Sequence, residues 1–198
     1  MLDLGIVIVN WNTHDYLRDC LVSVFASEGL TYHVVVVDNA SADGSAEMVR
    51  AEFPQAELIA SQVNRGYSYA NNLGLRRLGF DGGDGMHEAS GAPLLCYALL
   101  LNSDTVVPPT ALGEMVHFLD AYPEYGIAGP KLVLADGSLD LACRRSFPTP
   151  AVSIYHMAKL AKLFPHSRRF AKYNMTYLDP DQPTEVDSVT GAFMMVRR

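Results

Sequence analysis

The chain has 198 residues, of which 49% are hydrophobic and 19% are charged, and its formal net charge is −7. This length suits one globular domain, and the composition excludes a disordered tail, a collagen-like fibre and a low-complexity protein. The longest apolar runs, 34–37 and 93–101, are shorter than the roughly 18 residues that a membrane-spanning helix needs.

Alternating strands and helices are predicted for the first half of the chain. Continuous apolar runs at 4–9 and 33–37 are typical of strands buried on both faces of a mostly parallel sheet. Turn and N-cap residues at 41–44 precede a helical pattern. This alternation predicts an α/β fold. The predicted helices are 15–27, 45–52 and 68–78, and a third strand is predicted near 57–60.

The second half begins with a segment that lacks periodicity. Residues 79–93 carry five glycines, which predicts a flexible surface excursion. A buried strand follows at 94–101, and a helix at 109–121 opens with prolines. Neither a repeat nor a linker divides the chain, so we predict a single domain over 1–198. Short strands are predicted at 126–134, 137–142 and 186–196.

Three cysteines, Cys20, Cys96 and Cys143, are widely spaced and form no CxxC pair. Their odd number and spacing indicate neither a disulfide framework nor a zinc site. We expect them to be reduced, buried thiols. The N-terminus lacks a basic region and a cleavage site for secretion, so the expected location is cytoplasmic.

Charge is unevenly distributed along the chain. Residues 1–140 hold 6 basic and 18 acidic residues, a balance of −12, whereas residues 141–178 hold seven basic residues and no acidic one. The acidic total and the lack of a basic–aromatic pattern argue against nucleic-acid binding. Within the basic stretch, 151–164 has apolar residues at helical spacing. Such a helix can dock on anionic lipid or a phosphate-bearing substrate, or simply pack its apolar stripe on the domain.

Polar residues follow four predicted strand ends or turns, at 10–12, 38–39, 64–66 and 102–104. Ligands of open α/β sheets bind beyond the carboxyl ends of the strands, so these residues are expected to converge on one cleft. The first strand is followed by NWNTHD, which is not a GxGxxG fingerprint, and the chain has no Walker A loop. NAD-dependent dehydrogenases and P-loop kinases are therefore disfavoured.

Two carboxylates and a pair of amides are candidates for chemistry at this cleft. Asp38 can accept hydrogen bonds from a ribose or a base, or it can act as a turn residue. Asp104 follows a long apolar run, and one carboxylate with substrate phosphates is a typical site for Mg²⁺ or Mn²⁺; the alternative is that it caps the next turn. Asn71 and Asn72, unfavourable within a helix, indicate either hydrogen bonding to a ligand or satisfied buried amides.

Six motifs in order resemble the GT-A fold glycosyltransferases of family 2, and most of all the bacterial rhamnosyltransferase-like subgroup. They are IVIVNWN, VVVVDNASADGS, NRGYSYANNLGL, LLLNSDT, AGPKL and VTGAFMMVRR, and they extend from Ile6 to Arg198. The resemblance implies a nucleotide-sugar donor such as a dTDP- or UDP-sugar, a divalent metal, and a saccharide or lipid-linked acceptor of polysaccharide biosynthesis. It also implies residues 1–105 as the nucleotide-sugar-binding half and 106–198 as a partial acceptor half.

The resemblance also assigns roles by position. Asp38 would bond the pyrimidine base, and Asp104 would be the metal ligand of a DxD-type motif whose first Asp is Asn102 here. Gly191 and Ala192 would border the donor sugar and the acceptor. The remaining positions implied to contact the nucleotide or the sugar are Asn10, Asn12, Asn64, Gly66, Asn71 and Ser103.

The family's general base lies beyond the strand that contains Gly191, so we expect it beyond Arg198 and expect the chain to be truncated. Asp187 lies on the wrong side of Gly191 to take that role. The resemblance implies inverting transfer by single displacement. The alternative is a nucleotide-sugar-binding protein that lacks the base. A sugar-phosphate nucleotidyltransferase is disfavoured, because no Gly-rich loop with Arg and Lys follows the first strand.

Arg144 and Arg145 lie in the stretch without acidic residues, just after a predicted strand. Paired guanidinium groups can bind a diphosphate or an anionic acceptor, or they can be an ordinary solvated turn. With the helix that follows, they raise the expectation of a peripheral contact through 151–172 at the inner face of a membrane.

Overall fold

The computed structural model describes residues 2–80 and 95–198. The chain forms two compact units, one made of Met1–Ala128 with Gly191–Arg198 and the other of Gly129–Thr190. The flexible excursion predicted at 79–93 falls almost wholly outside the described residues. The functional division predicted at residue 105 stays a prediction.

The first unit contains a six-stranded sheet, and the second contains a two-stranded ladder. The six strands lie in the order β3-β2-β1-β4-β8-β5, with β1 to β4 parallel and β8 antiparallel to both of its neighbours. The ladder pairs β6 with β7. The described strands are β1 (Leu2–Asn10), β2 (Tyr32–Asp38), β3 (Glu57–Ala60), β4 (Leu95–Asn102), β5 (Ile127–Ala128), β6 (Arg144–Arg145), β7 (Ser188–Val189) and β8 (Phe193–Arg197).

Helices connect the parallel strands, as the alternating pattern predicts. The described helices are α1 (His14–Phe25), α2 (Ser45–Glu52), α3 (Tyr67–Arg77), α4 (Ala111–Ala121), α5 (Pro150–Met157) and α6 (Leu160–Leu163), with a 3-10 helix at Leu141–Cys143. The expected α/β architecture, a mostly parallel sheet flanked by helices, is therefore confirmed.

The core lies around β1, β2 and β4, whose apolar side chains are almost completely buried. Val34, Val35, Val36 and Val37 are all at most 1% exposed, which explains why this run has no polar alternation. Gly74 lets α3 approach the sheet closely, since a Cβ there would overlap Cγ1 of Val7. Helix packing on this sheet thus depends on a residue without a side chain.

Strand register brings the polar ends of β1, β2 and β4 together. Asn10 is paired with Asp38 across β1 and β2, and Val9 is paired with Asn102 across β1 and β4. The carboxyl ends of three parallel strands therefore lie at one edge of the sheet, which confirms the expected convergence.

Several predicted elements after residue 120 are wrong in extent. The strand expected at 126–134 is reduced to β5, and 137–142 forms a turn and part of a 3-10 helix, because Gly137 adopts φ +81° and the Asp140 side chain caps Ala142 N. The strand expected at 186–196 is interrupted between β7 and β8. The helix expected at 151–164 is divided by Lys159, whose φ of 56° is left-handed.

Two smaller expectations also need correction. The prolines at 108 and 109 precede α4 instead of opening it, because the Pro108 carbonyl accepts a hydrogen bond from the amide of Ala111 in a turn. Cys20 and Cys143 are buried as expected, but Cys96 is exposed on its strand. Among the described residues, no helix combines the length and the apolar character that crossing a membrane would demand.

Candidate functional site

A cavity of about 360 Å³ opens at the carboxyl edge of the parallel strands. Its volume lies in the range of sites that hold small molecules. Every lining residue belongs to the first unit, and six of the nine lie at or directly after the carboxyl end of β1, β2 or β4. The lining residues are Val9, Trp11, Asn39, Asn64, Gly66, Tyr67, Asn102, Ser103 and Asp104. Four of the positions predicted from the sequence, at 64, 66, 103 and 104, are thus brought together.

Two aromatic side chains of this cavity are absent from the sequence-based assignment. Trp11 is 56% exposed although it is the largest side chain in the chain, and Tyr67 begins α3. An exposed indole at a ligand-binding edge offers a flat apolar face for stacking. The signal was available, because Trp11 is the one tryptophan of the sequence and stands between Asn10 and Asn12.

The turn before α3 is held by paired amide side chains. The Asn39 amide donates to Oδ1 of Asn64 at 2.7 Å, and its own Oδ1 accepts a bond from the Arg65 backbone at 3.1 Å. The Asn64 Oδ1 also accepts from the Gly66 backbone at 2.8 Å. Gly66 has φ 85°, a conformation that favours glycine. Asn39, which the sequence placed at the cleft without a specific role, therefore fixes the position of this wall.

Asn10 is completely buried and does not line the cavity. Its Nδ2 donates to Oδ1 of Asp38 at 3.0 Å and to Oγ of Ser41 at 3.1 Å, and its Oδ1 accepts from Thr13 Oγ1 at 2.6 Å. The Thr13 hydroxyl in turn lies 2.9 Å from Oγ of Ser103. Asn10 thus connects the ends of β1, β2 and β4 through hydrogen bonds.

Asp38 and Asn12 are also engaged within the protein. Asp38 is 3% exposed, and its second oxygen accepts from the Ser41 backbone at 3.0 Å. A carboxylate has about four lone-pair positions, so capacity for a further bond remains. Asn12 is exposed at φ 54° and accepts from the Ala42 backbone at 2.8 Å. Neither side chain is among the lining residues.

Ser103 and Asp104 form the part of the wall that follows β4. The Asp104 side chain is exposed, whereas Ser103 is 8% exposed. Below them, the Cys20 thiol lies 3.6 Å from the Asn102 carbonyl, and burial together with the Asp104 charge raises the pKa of Cys20 to about 12. Cys20 is therefore a packed, neutral thiol and not a nucleophile.

The donor set at Asp104 can be tested against the metal that the resemblance implies. Among the described residues, no group of three or more His, Cys, Asp or Glu side chains could hold an ion. An accessible carboxylate beside hydroxyl and amide oxygens suits a hard divalent cation that receives its other ligands from phosphates and water. The residues present therefore fit Mg²⁺ or Mn²⁺ bound together with a diphosphate, and do not fit a site made of protein ligands alone.

Gly191 and Ala192 form the turn that precedes β8, beside the cavity wall. The Tyr67 hydroxyl donates to the Gly191 carbonyl at 2.9 Å, and the Ala192 carbonyl accepts from the Asn102 backbone at 3.0 Å. A Cβ on Gly191 would lie 3.3 Å from the Tyr67 oxygen, a tight contact that the tyrosine side chain would have to relieve. Burial, with the Asp104 charge as a smaller cause, raises the pKa of Tyr67 and keeps its hydroxyl protonated.

The remaining predicted positions lie away from the cavity lining. Asn71 is 4% exposed and donates to the carbonyl of Tyr67, one turn earlier in α3, which agrees with the satisfied-amide alternative. In the second unit, Arg144 is 8% exposed and donates to the carbonyls of Leu178 and Asp179. Arg145 is half-buried, and its Nε has no hydrogen-bond partner within residues 2–80 and 95–198.

Asp187, judged unsuitable as a general base, has a structural role. Its Oδ2 accepts from the Phe147 backbone at 2.9 Å, and its own backbone amide donates to the Arg145 carbonyl at 3.1 Å. Asp187 therefore connects the segment that follows β6 with the segment that precedes β7.

Curated relatives match this chain and are longer than it. An N-acetylglucosaminyl-diphospho-decaprenol L-rhamnosyltransferase of Mycobacterium tuberculosis is 25% identical over 196 residues, which are 98% of this chain and 61% of the relative. The succinoglycan biosynthesis protein ExoO of Rhizobium meliloti is 33% identical over 120 residues, which are 60% of this chain and 30% of the relative. The chain thus spans about three fifths of the first relative's length.

Solved structures share the fold at low sequence identity. S. aureus TarS 1-349 in complex with UDP-GlcNAc has a TM-score of 0.55 at 16% identity, with 88% of this chain and 53% of TarS covered. The mannosyltransferase PcManGT from Pyrobaculum calidifontis, in complex with GDP-Man and Mn²⁺, has a TM-score of 0.52 at 21% identity, with 68% and 38% covered. These neighbours are GT-A glycosyltransferases.

A family model supplies the assignment that the cavity and the sheet order suggest. Residues 5–198 match the model of Glycosyl transferase family 2, which is nearly the whole chain. The chain therefore belongs to glycosyl transferase family 2 and has the family's GT-A fold.

Proposed function

We propose that the cavity binds a nucleotide-diphosphate sugar and that the protein transfers the sugar, with inversion, to a saccharide or lipid-linked acceptor. The observation that carries this proposal is the meeting of Trp11, at the end of β1, with Asp104, after β4, in one cavity. A nucleotide base needs a surface for stacking, and a diphosphate needs a bound cation. Trp11 and Asp104 would meet these two needs at the two ends of one ligand. Membership of family 2 supports the same chemistry.

The base would lie on the indole of Trp11. Asp38 would accept a hydrogen bond from a pyrimidine N–H with its remaining lone pairs, while Asn10 and Asn12 would hold the strand ends around it. A dTDP- or UDP-sugar is the donor that this arrangement favours. We expect stacking on Trp11 to supply about 1 to 3 kcal/mol of binding free energy.

The diphosphate and the sugar would occupy the other end of the cavity. Asn64 and Gly66 would border the sugar side, supported by Asn71 from α3. Asp104 and Ser103 would hold a divalent cation with the diphosphate oxygens. When bound, that cation neutralises the charge that develops on the leaving diphosphate.

The displacement breaks the bond between the anomeric carbon and the diphosphate and forms one to an acceptor hydroxyl oxygen, whose proton must go to a base. Gly191 and Ala192 would admit the acceptor close to the donor sugar, since a larger side chain at 191 would meet Tyr67. Among the described residues, Asp104 is the one carboxylate that lines the cavity, and it is assigned to the metal. We assign the general base to none of the lining residues.

For the acceptor, we propose a sugar carried on a lipid diphosphate, and rhamnose for the sugar transferred. The support is the M. tuberculosis relative, whose name specifies a diphospho-decaprenol acceptor and an L-rhamnosyl group. Arg145 would contact the acceptor's phosphates, because its Nε has no hydrogen-bond partner in the described part of the chain, whereas Arg144 is buried and donates to the carbonyls of Leu178 and Asp179. The reaction would take place on the cytoplasmic face of a membrane.

The intrinsic fluorescence of Trp11 provides a direct test, because it is the chain's one tryptophan and lines the cavity. Titration with UDP, dTDP and GDP should quench it, more tightly with Mn²⁺ or Mg²⁺ than with a chelator. Asp104→Asn should remove the metal dependence, whereas Asp136→Asn, an exposed carboxylate of the second unit, should leave it unchanged. Quenching that needs no metal and is the same in Asp104→Asn would refute the metal assignment.

Transfer itself is tested with radiolabelled dTDP-rhamnose and UDP-sugars, with a lipid-diphosphate saccharide as acceptor. Labelled lipid product of inverted anomeric configuration is the expected result. Tight nucleotide binding without transfer or hydrolysis would instead favour a nucleotide-sugar-binding protein.

A further inference from the structure

The basic segment, residues 151–172, exposes apolar side chains that an ordinary surface helix would bury. Ile154 is 62% exposed and Met157 is 80% exposed, three residues apart on α5, whereas Val152 faces inward at 6%. After the left-handed residue Lys159, Leu163 of α6 is 72% exposed. Much of the apolar stripe therefore faces outward in the described structure, which favours docking over the alternative that this helix only packs on the domain.

The basic residues of the same segment have no carboxylate partners among the described residues. The segment contains five exposed basic residues and no acidic residue. Within residues 2–80 and 95–198, none of the five forms an ion pair. Two of them lie next to the apolar side chains in the chain, one between α5 and α6 and one within α6. The five are Lys159, Lys162, Arg168, Arg169 and Lys172.

Aromatic contacts hold the two helices as one surface. Phe170 packs edge-on against Tyr155 of α5, with 5.1 Å between ring centroids, and packs at a tilt against Phe164, the residue after α6, at 5.4 Å. Arg169 donates to the Tyr155 hydroxyl at 2.9 Å. The helices are therefore braced by residues that follow them in the chain.

We propose that the basic segment is a docking surface for an anionic lipid bilayer, in which Ile154, Met157 and Leu163 insert among the headgroups while the neighbouring cations bind lipid phosphates. Charge complementarity selects this partner, because exposed apolar side chains beside Lys159 and Lys162, in a segment without acidic residues, match an anionic interface. The surface lies outside the donor cavity, so the inference does not depend on the proposed function.

Co-sedimentation with vesicles tests the surface. Phosphatidylcholine vesicles containing about a third phosphatidylglycerol should sediment the protein, and pure phosphatidylcholine should not. Binding should fall as salt rises from about 0.05 M to about 0.5 M. The double variant Ile154→Ser with Met157→Ser should weaken partitioning about tenfold or more. Lys159→Gln with Lys162→Gln should weaken it about fivefold for each charge.

Matched variants remove equivalent groups elsewhere. Val22→Ser with Val133→Ser removes two similarly exposed apolar side chains, and Arg50→Gln with Arg76→Gln removes two exposed charges. Both should bind vesicles as the unchanged protein does. Equal sedimentation of all variants, or equal binding to neutral vesicles, would overturn the proposal.

Light scattering measures the oligomeric state and so tests the alternative occupant of this surface, a second copy of the chain. A dimer that Ile154→Ser with Met157→Ser dissociates, together with no vesicle binding, would overturn the lipid assignment. Nucleotide quenching of Trp11 should be the same in every variant. Vesicle binding without quenching in any form would refute the donor site and leave the lipid surface standing.

Discussion

The Tyr67 hydroxyl and the Gly191 carbonyl are joined by a hydrogen bond of 2.9 Å, although they lie 124 residues apart in the chain. The bond connects the first residue of α3 with the turn before β8. It places Gly191, which we propose borders the sugar and the acceptor, against a wall of the cavity. Tyr67 is therefore expected to position Gly191 rather than to take part in proton transfer.

Tyr67→Phe should retain nucleotide binding and reduce the rate of transfer. The ring remains in the wall, while loss of one partly buried hydrogen bond removes about 1 kcal/mol of positioning. We expect Trp11 quenching to be unchanged and the kcat of transfer to fall about fivefold. Because the pKa of Tyr67 is raised, the effect should be constant between pH 6 and about pH 9. An effect that follows ionisation in that range would show that the hydroxyl takes part in the chemistry.

Gly74→Ala should destabilise the protein by about 1 to 3 kcal/mol, because the new Cβ overlaps Val7 and lies 3.3 Å from Cγ2 of Val37. Gly113→Ala is the matched control in α4. Its Cβ would meet only the Glu28 carbonyl at an ordinary 3.5 Å, so better helix propensity should stabilise it by about 0.5 to 1 kcal/mol. Urea unfolding measures both. A change in the free energy of unfolding with the same sign for both variants would contradict the close approach of α3 to the sheet.

Asn10→Ala should reduce the free energy of unfolding by about 2 to 3 kcal/mol. The change leaves the buried oxygen of Asp38 and the Thr13 hydroxyl without their partner. Asn72→Ala, an exposed amide on α3, is the control and should change stability by less than about 0.5 kcal/mol. If Asn10→Ala weakens nucleotide binding without changing stability, Asn10 contacts the ligand directly.

Asp43→Ala should destabilise the protein in a pH-dependent way. Burial alone would raise the pKa of Asp43, but hydrogen bonds from Ser45 and from the His14 backbone outweigh it, and the pKa is lowered. The carboxylate's contribution is therefore complete above the unfolded pKa near 3.9 and is lost as pH falls through the folded value; because the side chain is exposed, solvent screening keeps this contribution below about 1 kcal/mol.

Urea unfolding from pH 7 to pH 3 follows this contribution. The difference between the unchanged protein and Asp43→Ala should be constant down to about pH 4 and then shrink. Asp19→Ala, an exposed carboxylate on α1, is the control for net charge. A difference that grows at acid pH would have the wrong sign and would refute the stabilising role of these hydrogen bonds.

Thiol labelling should separate the three cysteines. Cys96 is exposed and should react with iodoacetamide at about pH 8 in the folded protein. Cys20 is buried and its pKa is raised to about 12, so it should react only after denaturant is added. Peptide mass analysis identifies the labelled residue. Labelling of Cys20 before denaturant is added would show that the packing around Cys20, beneath Asn102, opens readily.

Much of the first unit follows from local pattern in the sequence. The run 34–37 predicts β2 because apolar β-branched residues without alternation suit a strand covered on both faces, and parallel strands necessarily place Asp38 and Asp104 at one edge. The roles of Asn10 and Asn71 were harder to predict. An asparagine that serves the ligand and one that satisfies its neighbours have the same sequence signature.

The second unit was less predictable, since its strands are two residues long and pair across about 40 positions of sequence, as Arg144 does with Val189. No local periodicity encodes such a pairing. The break at Lys159 also has no sequence signal, because lysine does not favour the left-handed region. The chemistry of the basic segment could be predicted, but the direction of its apolar side chains required the structure.

The pairing of Asn10 with Asp38 links folding fidelity to ligand binding. A slip of β1 by one residue would turn Asn10 to the opposite face and separate it from Asp38, Ser41 and Thr13 together. Molecules with β1 in the wrong register would therefore lack the polar edge that we propose binds the nucleotide. Nucleotide binding would stabilise only molecules with the correct register. We expect nucleotide to slow hydrogen exchange of the β1 and β2 amides, far beyond the residues that touch it.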